Sequence, residues 1–376
     1  MIQRRTPVEK YFAKRTIEKM KGLIHESLDR LVYHFKEAHA SHQVVSLDAG
    51  FAALTSDIIH KYVFGFYLAN LDKEGFNAKT VVNLMPLEGL RKFNPLVFAL
   101  ASQKKKLYHR AVAALENPHS HSNNSSGTVF DTLVSPTLLA HMRRPEGLIN
   151  EGFGLVIGGA ETTARALGIC AWYSYSRKDI LAKLKEELKQ VMPTADSRPT
   201  WKELEGLPSL SGVIAESPMP RYWAWRVAPT EALVYKDYTI PRSTPVSESS
   251  YFVLMDPQIF TDSHEFDPER WIRATAKGQR PDRLAYAEMF LTIATLAHRC
   301  NMELYETPKE SIEFARDSGT PYPAKGNLSV RTMITVSSSR VHSLCKGESE
   351  VDLLPYLEED CQYTSKGNVA NTGRRI

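Results

Sequence analysis

The sequence has few cysteines, no long apolar run and no strong excess of one charge, and each absence excludes a class of protein. Its four cysteines show no C-x-x-C spacing, which argues against a disulfide framework and a zinc site. No window holds the roughly 18 consecutive apolar residues that a membrane-spanning helix needs. The net charge is only +4, without a basic cluster of the kind that binds nucleic acid. We therefore expect a globular, cytoplasmic chain without signal or anchor.

Helical periodicity dominates the first half of the chain. In residues 17–38 one predicted core-facing stripe consists of Ile17, Met20, Ile24, Leu28, Leu31 and Val32. The polar stretch 116–128 predicts an exposed loop, in which His119 and His121 are interpreted as loop polarity rather than metal ligands. From Leu148 to Ser176 the chain is almost uncharged, which predicts a long buried helix.

The second half mixes helices with short strands. A charged helix is predicted over residues 177–192, with an inner face of Ile180, Leu181, Leu184 and Leu188. Residues 228–260 are rich in β-branched and aromatic side chains around a Lys236–Asp237 turn, which favours a small sheet. A helix is predicted over 284–306 and short strands up to Met333. The fold class is thus mainly α with a small β region, in one domain, residues 1–335, before a flexible tail, residues 336–376.

The most informative motif lies inside the predicted long helix, at residues 158–163, where the sequence is GGAETT. Each glycine costs about 1 kcal/mol relative to alanine in a helix interior, so the pair Gly158 and Gly159 indicates close approach of something to the backbone. Beside them, Glu161 and Thr162 could hold water and pass protons in a dry pocket. The alternative is a helix–helix contact in which the threonine hydroxyl bonds the preceding turn.

Four motifs in order resemble one family. The GGAETT helix, the helix end at Glu216, the segment RVAPTEALVYKDYTIPRSTPV (226–246) and FDPERW (266–271) are similar to the fungal membrane-bound cytochromes P-450, which are haem-thiolate monooxygenases. The resemblance covers about residues 10 to 335. It implies an incomplete cytochrome P-450 fold in which the long central helix crosses the haem face.

The resemblance also implies roles for particular residues. In that family the acid and alcohol that match Glu161 and Thr162 form the catalytic pair that delivers protons to bound oxygen. Gly158 and Gly159 would let oxygen and substrate lie against the helix. Arg226 matches a basic residue that reaches a haem propionate. Arg270 matches the arginine that locks onto the glutamate corresponding to Glu216.

The first departure from the family pattern concerns that lock. The E-x-x-R helix reads Glu216-Ser217-Pro218-Met219-Pro220-Arg221, so a methionine stands where the second arginine belongs. Two prolines would end the helix, because each removes an amide donor and clashes with the preceding turn. We therefore predict that the family's triad is not formed.

The second departure is the loss of the cysteine loop, F-x-x-G-x-R-x-C-x-G. Only IRATAKGQRPDR separates Trp271 from Leu284, so the expected metal ligand is missing between Arg283 and Leu284. A thiolate ligand is what favours O–O cleavage at haem iron. Of the remaining cysteines, Cys345 lies in the tail, in the wrong chain order, and Cys170 and Cys300 are predicted to be structural. Haem b is expected from the family, but not its usual ligation.

The third departure is the amino end, which begins where the family's C helix finishes, so that the anchor and first strands have no counterpart. An intact relative would lie at the endoplasmic reticulum membrane and take electrons from an NADPH-dependent flavoprotein reductase. It would oxidise a lipophilic small molecule of secondary metabolism. The chain itself is expected to be inactive. Two alternatives remain: a pseudoenzyme that binds a lipophilic ligand or a protein partner, and a haem binder that uses His298.

Overall fold

A computed structural model describes residues 9–77, 112, 128–135, 144–217, 226–247, 250–275, 284–317, 321–324 and 330–335. All of them belong to one compact unit, Met1–Val336. The second unit, Ser337–Ile376, lies outside the described residues, and so do the predicted tail and both loop histidines. The described part is mainly helical with small sheets, as the sequence predicts.

The helices follow the predicted apolar periodicity. All six stripe residues of the amino-terminal segment are buried, and Ile180, Leu184 and Leu188 form the buried face of the charged helix. In chain order the helices are α1 (Lys14–Glu18), α2 (Lys21–Ala40), α3 (Leu47–Phe64), α4 (Val129–Val134), α5 (Pro145–Ser176), α6 (Lys178–Val191), α7 (Trp201–Glu205), α8 (Pro208–Glu216), α9 (Ser250–Leu254), α10 (Glu269–Thr275) and α11 (Leu284–Arg299). Single 3-10 turns cover Lys10–Phe12 and Lys309–Ser311, and the turn at Glu74–Asn77 has a positive φ at Gly75 and at Phe76.

The described strands are short and pair antiparallel. Their bounds are β1 (Val44–Ser46), β2 (Arg226–Val227), β3 (Leu233–Tyr235), β4 (Tyr238–Ile240), β5 (Pro245–Val246), β6 (Asn301–Leu304), β7 (Arg316–Asp317), β8 (Pro321–Tyr322) and β9 (Arg331–Thr335). One sheet has the order β1-β9-β6, and the other strands form the two-stranded sheets β2–β5, β3–β4 and β7–β8. Lys236 adopts a positive φ of 51° in the turn between β3 and β4, which confirms the predicted Lys-Asp turn.

Two boundaries differ from the sequence prediction. The helix predicted over 284–306 ends at Arg299, because residues 301–304 pair instead with β9. The run Tyr251–Leu254, predicted as part of a sheet, is helical in α9. Short apolar runs do not distinguish a helix from a strand by periodicity, so distant pairing partners decide these segments.

Helices α3 and α5 form the central packing of the fold. The Thr55 hydroxyl of α3 donates to the carbonyl of Ala160 in α5 at 2.9 Å. A Cβ atom built on Gly152 would lie 2.7 Å from the Phe64 ring, so this glycine allows the two helices to approach closely. Within the described residues, no helix is long and apolar enough to cross a membrane.

Candidate functional site

The two glycines of the GGAETT motif face different surroundings. A Cβ atom on Gly159 would lie 2.9 Å from Cγ1 and from Cδ1 of Ile59, on the neighbouring α3. Among the described residues, a Cβ atom on Gly158 would meet nothing within 4 Å, and Gly158 is exposed. The helix-packing interpretation therefore holds for Gly159. At Gly158, α5 presents bare backbone that no described residue covers.

Thr162 lies one helical turn after Gly158, on the same face of α5. Its hydroxyl donates a hydrogen bond to the Gly158 carbonyl at 2.8 Å. Such a bond to the preceding turn gives the hydroxyl a local acceptor, and bonds of this kind often bend a helix slightly. The predicted alternative for the threonine is thus observed, and it places Thr162 beside the open face at Gly158.

Glu161 has a separate set of surroundings. It is buried, and its carboxylate accepts a hydrogen bond from the Tyr322 hydroxyl on β8. The acid and alcohol of the predicted pair therefore have different hydrogen-bond partners. Adjacent helix positions point about 100° apart, which accounts for this divergence.

A buried ion pair lies one turn further along α5. The Arg165 guanidinium donates to the Ile312 carbonyl at 3.0 Å, and its Nη1 lies 3.8 Å from Oδ1 of Asp48. The other carboxylate oxygen of Asp48 accepts from the Val330 amide at 2.6 Å. Burial lowers the pKa of Arg165 and raises that of Asp48, and their mutual attraction opposes both shifts. The pair ties α5 to α3 and to the carboxyl-terminal strands.

The structure brings together Glu216 and Arg270, the two residues of the predicted lock, and a further residue joins them. Arg270 Nε lies 3.2 Å from Oε1 of Glu216, which also accepts from the Asp267 amide at 3.0 Å. Oε2 accepts from the Trp271 indole at 2.5 Å. The prediction that the family's triad is not formed stays a prediction, because the position of its second arginine lies outside the described residues; around Glu216 the indole provides an additional donor. Sequence reasoning missed Trp271, although an indole N–H needs an acceptor when partly buried.

Helix α8 ends at Glu216, as the prolines predict. Pro218–Arg221 lie outside the described residues. Burial raises the pKa of Glu216, and its hydrogen bonds and Arg270 act in the opposite direction. The Arg270 guanidinium also donates to the carbonyls of Thr261, Asp262 and Glu265, which fixes the loop before α10. The lock therefore joins α8 to α10.

Arg226 begins β2 and pairs with Val246. Its predicted contact with a propionate stays a prediction. His298 is partly buried near the end of α11. Within the described ranges, no cluster of three or more histidine, cysteine, aspartate or glutamate side chains could hold a metal ion.

The two described cysteines are buried thiols, as predicted. Cys170 Sγ lies 2.6 Å from the Ser217 hydroxyl, and Cys300 follows the end of α11. Burial raises the pKa of each thiol to about 12. Both side chains are therefore neutral at physiological pH and poor metal ligands. Cys345 and Cys361 lie outside the described residues.

Comparison with known proteins agrees with the geometry. The family model for cytochrome P450 matches residues 2–325. The chain is 33% identical over 366 residues to cytochrome P450 monooxygenase TRI4 of Trichoderma arundinaceum, covering 86% of this chain and 70% of that protein. It is 33% identical over 386 residues to conidiogenone synthase PchP450 of Penicillium rubens, covering 90% and 75%. The solved haem domain of cytochrome P450DA has a TM-score of 0.66 at 16% identity, covering 88% and 74%, and shows the shared fold.

Proposed function

This chain belongs to the cytochrome P450 family, and on that premise we propose that its parent activity is monooxygenation of a lipophilic secondary metabolite, which the chain in its present form does not perform. The observation that carries the proposal is the absence of any cysteine between Trp271 and Leu284. The residues on both sides of this gap still resemble the family's sequence. One continuous segment, the cysteine loop, is therefore missing, and the loop has not been altered by gradual substitution.

The family implies haem, but the described residues do not fit a thiolate-bound haem. A thiolate is required to donate electron density to the iron. Cys170 and Cys300 are buried, with a pKa of about 12 each, and both already serve in packing. No step of oxygen chemistry is therefore assigned to this chain.

Helix α5, which carries the GGAETT motif, supports monooxygenation as the parent activity. Gly158 presents open backbone, Thr162 lies beside it, and Glu161 is held in the interior by Tyr322. These are the positions that the family resemblance assigns to substrate approach and proton delivery. The lock at Glu216 and Arg270 is also retained. The scaffold thus keeps the parts that surround the chemistry and lacks the iron ligand.

An intact form would receive electrons from an NADPH-dependent flavoprotein reductase, as members of the family generally do. Its substrate would be lipophilic, because binding in such enzymes relies on an apolar cavity more than on polar contacts. The named relatives come from fungi, and we propose a role in fungal secondary metabolism for the same gene.

Restoring the loop tests the proposal directly. A loop of the pattern F-x-x-G-x-R-x-C-x-G is inserted between Arg283 and Leu284, and the matched control carries serine in place of the loop cysteine. We expect the cysteine variant alone to give the red-shifted Soret band of thiolate-ligated haem after reduction under carbon monoxide. If the serine control gives the same band, or if neither variant binds haem although both fold, the proposal fails.

The alternative is a pseudoenzyme that binds a lipophilic ligand. The open face at Gly158 favours it, because this face needs no iron ligand to accept an apolar molecule. A fluorescent long-chain fatty acid serves as the probe, and Gly158→Leu should abolish its binding. Gly22→Leu is the matched control, since a side chain there also meets nothing within 4 Å. Equal binding by both variants would exclude this alternative.

A further inference from the structure

Helix α11 carries a buried acid that lies outside the motifs described above. Glu288 is 2% exposed, and its Oε2 atom has no hydrogen-bond partner among the described residues. Thr292 is 0% exposed, and in the same part of the chain its hydroxyl likewise has none. Buried polar groups are nearly always hydrogen-bonded in folded proteins, so two such atoms on one helix require an explanation.

The two side chains are neighbours on one face of the helix. Residues four apart in an α-helix have Cβ atoms about 5–6 Å apart. The glutamate carboxyl and the threonine hydroxyl therefore reach the same side of α11, where one small molecule can bridge them. A water molecule offers two donors and two acceptor sites, and buried waters typically satisfy polar groups that lack protein partners.

We propose that Glu288 and Thr292 form a buried site that binds one ordered water molecule between the glutamate Oε2 and the threonine hydroxyl. The water donates to Oε2 and accepts from the hydroxyl. Each buried polar atom thereby gains a partner. The site lies near the middle of α11, the helix that directly follows the missing cysteine loop.

The electrostatic surroundings favour water over a metal cation. Helix α11 packs against α1, α2, α5, α6, α7 and α8. Burial alone raises the pKa of Glu288, and among the described residues no charged group on those helices contributes to the shift. An acid without a nearby charge is most stable protonated in such surroundings. A neutral acid and an alcohol bind water well and cations poorly.

Thermal unfolding of single and double variants tests the site. Thr292→Val in the native background removes one anchor of the water, so we expect a lower melting temperature. In a Glu288→Leu background the water has already lost its other anchor. There, Thr292→Val removes only an unbonded hydroxyl and should raise the melting temperature. A higher melting temperature for Thr292→Val in the native background would overturn the proposal.

Two further measurements keep the result interpretable. If Glu288→Leu does not fold, Glu288→Gln provides the second background, because its amide also binds water and Thr292→Val should then lower the melting temperature as in the native chain. Thr55→Val is the matched control. The Thr55 hydroxyl donates to the Phe51 and Ala160 carbonyls, so this substitution should lower the melting temperature equally in every background. Replacing sodium by potassium or ammonium in the buffer should leave the melting temperature unchanged. A melting temperature that rises with one of these cations alone would overturn the assignment of water to the site.

Discussion

The Trp271 indole donates a hydrogen bond to Oε2 of Glu216 at 2.5 Å, on the opposite carboxylate oxygen from Arg270. The family's second arginine has no counterpart here, because Met219 occupies its position. Trp271 thus supplies a donor to a partly buried carboxylate that would otherwise lose one. Since Glu216 ends α8 and Trp271 lies in α10, this bond holds two helices together.

Replacing the indole should weaken the lock. We expect Trp271→Phe to lower the free energy of unfolding by about 1–3 kcal/mol, because it leaves one oxygen of a buried carboxylate without its donor. Urea denaturation measures the change. The loss should be smaller in a Glu216→Gln background, where the acceptor is a neutral amide. Equal losses in both backgrounds would show that the indole acts through packing alone.

Restoring the family's helix should compensate for that loss. The triple substitution P218L/M219R/P220L gives the pattern Glu-Ser-Leu-Arg-Leu after residue 215 and removes two helix-breaking prolines, each of which costs about 3 kcal/mol in a helix interior. We expect higher helicity by circular dichroism and a higher urea midpoint. Trp271→Phe should then cost less than in the native chain. A urea midpoint below that of the native chain would contradict the correspondence of this segment to the family's E-x-x-R helix.

Local patterns in the sequence were sufficient to predict much of this fold. Helical periodicity located α2, α5 and α6, the Lys236–Asp237 turn located the β3–β4 hairpin, and the prolines located the end of α8. These features depend on a few neighbouring residues, so the sequence alone predicts them.

The features that sequence reasoning missed depend on distant partners. Nothing local distinguishes Gly158 from Gly159, and only the position of Ile59 on α3 does so. The strand at 301–304 exists because β9 pairs with it. In the sequence Trp271 stands out only as part of the FDPERW motif, and its role depends on Glu216, 55 residues earlier. Tertiary contacts override local preference in each case.

The two glycines of α5 should respond oppositely to alanine. Gly159→Ala forces a methyl group against Ile59 and should destabilise the chain by about 1–3 kcal/mol. Gly158→Ala meets open space and should stabilise it by up to about 1 kcal/mol through helix propensity. Urea denaturation of the matched pair measures both effects. Substituting Ile59→Ala should remove the penalty at Gly159, and equal effects at both glycines would refute the difference in their surroundings.

Acidification should destabilise the chain through His60 in α3. Burial lowers the pKa of His60 to about 4, and its Nδ1–H donates to the Ser56 carbonyl at 2.7 Å. The unfolded chain binds a proton near pH 6.5 and the folded chain only near pH 4. The contribution of His60 to the free energy of unfolding is therefore fully present above pH 6.5. It falls by on the order of 3 kcal/mol as the pH drops towards 4.

Urea unfolding between pH 4 and 7 checks this dependence. His60→Gln should flatten the profile over that interval, because the titrating group is removed. His264→Gln, on the exposed surface, is the matched control and should leave the profile unchanged. An unaltered profile in His60→Gln would assign the acid sensitivity to other groups.

The measurement that tests the central claim most directly is the absorption spectrum of the unmodified purified chain, supplemented with haem, reduced with dithionite and exposed to carbon monoxide. Because no cysteine lies between Trp271 and Leu284 and both described cysteines are buried thiols, we expect no red-shifted Soret band. A red-shifted band would show that another cysteine ligates the iron, and would contradict the account of this chain as a P450 scaffold without its thiolate.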